Sequence, residues 1–80
     1  MKRSEILEKL QDIFIDLLDD EDFALSEEIS METVPEWDSL LHITLIASVE
    51  DEFKIKIGTD EIAKAKSVGI LADIIEQELA

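Results

Sequence analysis

From Ser39 to Phe53 the chain carries apolar side chains at positions 40, 41, 43, 45, 46, 47, 49 and 53. On a helix these positions cover well over one stripe of the circumference. A helix this apolar either lies centrally in a bundle or presents an apolar strip to a partner. Its start is well marked. Pro35 favours an extended approach, Asp38 is a good N-cap, and Ser39 takes the first helical position.

The rest of the chain supplies what such a helix packs against. Ile6, Leu7, Leu10, Ile13, Phe14, Leu17 and Leu18 make one stripe of a helix over residues 4–18. The run Asp19-Asp20-Glu21-Asp22 opposes a helix macrodipole at its C-terminal end and repels itself, so it predicts a stop. Residues 19–37 show no sustained period and read as a long loop anchored by Phe23, Leu25, Ile29 and Val34. Residues 54–57 alternate Lys-Ile-Lys-Ile, but no second strand is evident, which predicts an extended connector. Thr59 is placed to cap a short helix over 60–65, and Ser67 to cap a last one with Val68, Leu71, Ile74, Ile75 and Leu79 inward. The expected fold is all-α: a small four-helix bundle of three main helices and one short one, with a long loop between the first two. Residues 1–80 are expected to form a single domain, and 46% hydrophobic residues are enough to core it without staples.

Charge narrows the function classes. There are 21 Asp and Glu against 7 Lys and Arg, a formal net charge of −14. Phosphate backbones and anionic lipid surfaces repel such a chain, so neither nucleic acid nor membrane is an expected partner. Proteins with basic docking patches are. A plainer account is that the acidity only keeps a small protein soluble. No apolar run approaches the roughly 18 residues of a membrane span. Glu5, Glu8 and Asp12 interrupt the start of the chain, which fits neither a secretory signal nor a transit peptide. A cytoplasmic monomer is the expectation.

Enzymatic signatures are sparse. There is no cysteine to act as nucleophile or thiolate ligand, and Gly58 and Gly69 stand alone, without a phosphate-binding loop. The acidic run at 19–22 lacks the glycine-centred spacing of a calcium loop, and no metal site is expected. His42 lies three residues after Ser39, near enough on a helix to suggest a serine hydrolase. However, no orienting acid, oxyanion hole or sharp nucleophile turn accompanies the pair, and His42 is expected to face solvent. Asp38-Ser39-Leu40 remains. A serine at the first helical position lies beside free backbone N–H groups and the positive end of the helix dipole, which tolerate an attached phosphate. Alone, the dipeptide is equally an ordinary capping pair.

The context of that tripeptide resembles the acyl carrier protein family, which includes peptidyl and aminoacyl carrier domains. Trp37-Asp38-Ser39-Leu40 is followed at family spacing by Glu50-Asp51-Glu52-Phe53, Ile55-Lys56-Ile57, Asp60-Glu61 and Ser67-Val68. The resemblance implies that Ser39 receives 4′-phosphopantetheine from coenzyme A through a phosphopantetheinyl transferase. The arm then carries acyl or aminoacyl groups as thioesters between acyl-loading and acyl-transfer enzymes, and the carrier itself catalyses nothing. It further implies that Asp38 and Leu40 flank the modified serine, that Ile43, Ala47 and Ile57 form an apolar docking strip, and that Glu50 and Asp51 make acidic contacts with partners. Leu41 and Thr44 stand where fatty-acid-synthesis members usually carry acids, and Trp37 precedes the motif. Both features look more like free-standing carriers of specialised pathways, such as polyketide or nonribosomal-peptide routes, than the housekeeping fatty acid biosynthesis carriers. The alternative from another class is a small acidic interaction module with no prosthetic group, which would share the fold and charge and differ only at Ser39.

Overall fold

The computed structural model describes residues 1–80. Four helices follow in order: α1 (Arg3–Leu18), α2 (Ser39–Phe53), α3 (Thr59–Lys64) and α4 (Val68–Leu79). There is no strand pairing beyond an isolated antiparallel bridge between Ser30 and Ser67. The all-α bundle with a long first loop is therefore what the apolar spacing predicts.

The helix ends follow local chemistry. At the start of α1 the Glu5 carboxylate accepts from the Lys2 backbone N–H at 3.0 Å. The helix ends where Asp19 turns left-handed (φ 52, ψ 46) at the head of the acidic run. At α2 the Asp38 carboxylate accepts from the Leu41 N–H at 2.9 Å, and at α4 the Ser67 hydroxyl accepts from the Ile70 N–H at 3.2 Å. Both caps are where the sequence placed them. The start of α3 differs: Gly58 is the capping residue, Thr59 is already helical, and no side chain caps the helix.

One cluster of 15 buried apolar residues holds the elements together. α1 contributes Ile6, Leu10 and Phe14, α2 contributes Leu45, Ile46, Val49 and Phe53, and α4 contributes Val68, Leu71, Ala72, Ile74 and Ile75. Trp37, Ile57 and Ala65 complete it from the connectors. Of α3's six residues none is buried.

The long loop is held at more points than its apolar anchors foretold. Phe23 stacks on Phe14 with ring centroids 5.6 Å apart, and Leu25, Ile29 and Val34 pack on the core as expected. In addition, the loop backbone docks along the start of α4. The Val68 N–H donates to Ile29 O at 2.9 Å, the Gly69 N–H to Glu27 O at 3.1 Å, and the Met31 N–H to Lys66 O at 3.0 Å. A Cβ at position 69 would lie 3.3 Å from that Glu27 oxygen, so a larger residue would crowd this close approach of the two backbones.

Arg3 closes the same seam with side chains. Its guanidinium binds Glu27 in two-pronged fashion, at 2.7 and 3.2 Å, and also reaches Asp73 at 2.9 Å and Glu76. The hydrogen bond from Arg3 holds the Glu27 carboxyl below its ordinary value of 4.5. A carboxyl depressed in the fold contributes stability that is complete above its unfolded value and is lost as pH falls through the folded one. The stability gap between wild type and Glu27→Gln should therefore be constant from neutral pH down to the unfolded carboxyl range, then shrink as pH falls further. Urea unfolding of both chains across that range checks this, and a gap that widened on acidification would contradict it. The difference between the two chains is the informative quantity, because protonating the other acids also relieves their mutual repulsion.

Candidate functional site

Ser39 is exposed at the first position of α2. The chain reaches it through a tight turn in which the Trp37 N–H donates to Val34 O and the Asp38 N–H to Glu36 O, each at 3.0 Å. Asp38 then spends its carboxylate on Leu41 and its carbonyl on the His42 N–H. The N–H groups of Ser39 and Leu40 have no partner within the chain. An exposed hydroxyl thus stands beside two free donors at a helix N-terminus, where a singly charged phosphodiester is electrostatically favoured. The residues fit such a group.

Leu40 is 75% exposed and Ile43 66% exposed, and Ala47 is also exposed on the same face. The wide apolar character of α2 therefore has both expected causes. Leu45, Ile46, Val49 and Phe53 face the core, while positions 40, 43 and 47 make a strip running away from Ser39. Between α2 and α3 lies an open, mostly apolar groove of about 430 Å³, lined by Met31, Ser39, His42, Ile43, Thr59, Ile62, Ala63 and Lys66.

Three side chains sit differently from the sequence expectation. Ile57, read as part of the apolar strip, is only 6% exposed and belongs to the core. The alternation at 54–57 puts Ile55 and Ile57 on one side, and that side faces inward. Glu50, read as a partner contact, is half-buried, and its carboxylate accepts from the Ile57 N–H at 2.8 Å. It fastens the connector that follows α2. Asp51 alone of the two acids is freely exposed.

His42, expected to face solvent, is buried. The Trp37 Nε1–H donates to its Nδ1 at 3.0 Å, and its Nε2 lies 2.9 Å from Ile62 O. Indole nitrogen can only donate and a carbonyl can only accept, which fixes the tautomer with the proton on Nε2. Both ring nitrogens are committed, so His42 has no lone pair to offer Ser39. The hydrolase geometry does not form. Trp37 itself is buried edge-on against Phe14, centroids 5.1 Å apart. It is a pillar under the serine turn, a role the sequence reading did not give it.

No helix is long and apolar enough to cross a membrane, and no group of three or more acidic or histidine side chains is placed to hold a metal ion. No protein-family model matches the chain. Individual relatives do. An acyl carrier protein of Thermosynechococcus vestitus is 35% identical over 80 residues, covering 100% of this chain and 99% of its own. One of Porphyromonas gingivalis is 33% identical over 76 residues, 95% of this chain and 97% of that protein. Among solved structures, holo acyl carrier protein from Geobacter metallireducens superposes with a TM-score of 0.83 at 41% identity, covering 91% of this chain and 84% of that one. The acyl carrier protein of Thermotoga maritima gives 0.85 at 29% identity, over 99% and 92% of the two chains. With full-length similarity in sequence and fold, and a serine exposed at the start of α2, the chain belongs to the acyl carrier protein family.

Proposed function

We propose that residues 1–80 act as one carrier domain that bears 4′-phosphopantetheine on Ser39 and delivers acyl groups to partner enzymes. The observation that carries this reading is the Ser39 hydroxyl, exposed at a helix N-terminus beside two unpaired backbone donors, in a chain whose full-length relatives are acyl carrier proteins. When bound, the group supplies a thiol, which this cysteine-free chain lacks, for holding an acyl group as a thioester. Ser39 would provide the point of attachment, the Ser39 and Leu40 N–H groups would be available to the phosphodiester, and Asp38 keeps the first turn of α2 formed. Partners are a phosphopantetheinyl transferase and acyl-loading and acyl-transfer enzymes with basic docking patches, met in the cytoplasm by a monomeric carrier. Leu40, Ile43 and Ala47 offer them apolar contact, and Asp51 offers charge. Incubation with coenzyme A, Mg²⁺ and a broad-specificity transferase should add one phosphopantetheinyl group by intact mass. No gain would remove the reading.

The split between the two acids gives a separate expectation. Asp51→Lys should leave the melting temperature unchanged, raise the KM for loading and weaken its salt dependence, because an exposed charge acts on encounter. Glu50→Lys should instead destabilise the chain by about 1–3 kcal/mol, since the Ile57 N–H loses its acceptor. Urea unfolding and loading kinetics at two salt concentrations separate them. Equal effects of both substitutions on stability would contradict the assignment.

A further inference from the structure

α3 is weakly held. It is six residues long, buries none of them fully, has no side-chain cap, and packs on the core only through half-buried Ile62. Its own backbone bonds are local, and only one hydrogen bond links it to another element: that from His42 Nε2 to the Ile62 carbonyl. The donor is rigid, because the other ring nitrogen accepts from Trp37, which is itself wedged against Phe14 of α1. A continuous row therefore runs from α1 through Trp37 and His42 to α3. The same His42 lines the groove whose α2 wall holds Ser39 and Ile43 and whose α3 wall holds Thr59, Ile62 and Ala63.

We propose that His42 is a positioning residue: it tethers α3 to α2 and so sets the width of the apolar groove that begins at Ser39. An element held by one half-buried apolar side chain and one external hydrogen bond belongs to the low-stability end of a fold. Removing that bond loosens α3, leaving Ile62 and the buried Ala65 that follows the helix as its remaining hold, without changing which side chains α1, α2 and α4 pack together. The functional consequence, that a partner loading Ser39 meets a groove of fixed shape, rests on the reading of Ser39 as the attachment site. The tether itself does not.

The test compares wild type with His42→Phe, which keeps a buried ring but makes neither bond, and His42→Gln, whose amide has both an acceptor and a donor. Amide hydrogen exchange on the unmodified chain should accelerate at residues 62–65 in His42→Phe roughly three- to tenfold beyond the general loosening that the stranded Trp37 N–H brings to α1 and α4, and by less in His42→Gln. Loading by the transferase should show a raised KM and a nearly constant kcat in His42→Phe, moved back towards wild type by His42→Gln. Exchange that stays at the wild-type rate in α3, that accelerates equally in all helices, or that is the same in the Phe and Gln variants overturns the tether. A freed α3 with unchanged KM overturns the positioning role. A chain that is not loaded at all overturns the reading of Ser39 and leaves the exchange result standing.

Discussion

Ser39→Ala should abolish loading outright while leaving the fold unaltered. The Ser39 side chain makes no hydrogen bond, and α2 is capped by Asp38, so the alanine removes an exposed hydroxyl from a position any good helix former accepts. The change in stability should stay within about 0.5 kcal/mol, as for surface positions away from caps and core. Loading, by contrast, has no second serine at a first helical position; Thr59 opens α3, but its hydroxyl is secondary and it follows Gly58 on a six-residue helix without an Asp N-cap. Ser30 accepts from the Glu32 N–H, Ser67 caps α4, and the Thr44 hydroxyl bonds back to Leu40 O within α2. Intact mass after transferase treatment and a urea melt check both halves. An alanine variant that still gains the group, or one that unfolds, contradicts the account.

Trp37→Ala should be the most damaging single truncation. The indole is buried, meets Phe14 edge-on at 5.1 Å and donates to His42 at 3.0 Å. Truncating a core aromatic typically costs about 3–5 kcal/mol. Small domains have about 5–15 kcal/mol in all, and a chain this short lies towards the lower end, so the variant should be largely unfolded or close to it. Trp37→Phe isolates the polar part. It keeps most of the ring contact with Phe14 but strands Nδ1 of His42, for about 1–3 kcal/mol. Denaturant unfolding followed by circular dichroism reads both, and an alanine variant within about 1 kcal/mol of wild type would show that the pillar is not one.

Where sequence patterns were periodic, they located structure. The spacing of Ile6, Leu10 and Phe14 marks the inner face of α1, and Val68, Leu71, Ile74 and Ile75 mark that of α4. Asp38 and Ser67 cap because a short polar side chain before an apolar run has few better uses. The exposed strip at 40, 43 and 47 and the inner face at 45, 49 and 53 also follow from turn-by-turn placement.

His42 shows what polarity conceals. It is three and seven residues before Leu45 and Val49, which puts it on the buried face, yet a lone histidine reads as a surface residue until a donor for its ring is known. That donor, Trp37, lies outside the helical period, and the acceptor, Ile62 O, is 20 residues away. Glu50 stands in the same position: its capture of the Ile57 N–H depends on how the connector turns back, which no local pattern encodes. The seam between Arg3, Glu27 and α4 is likewise non-local, joining groups 24 to 73 residues apart.

The most direct measurement is peptide-level mass spectrometry of the chain isolated from the cells that make it. The account predicts one phosphopantetheinyl group, found on the peptide containing Ser39 and localised to that residue. A chain that carries no such group in its own cells, or carries it on another residue, would contradict the claim that Ser39 is what this fold presents to its partners.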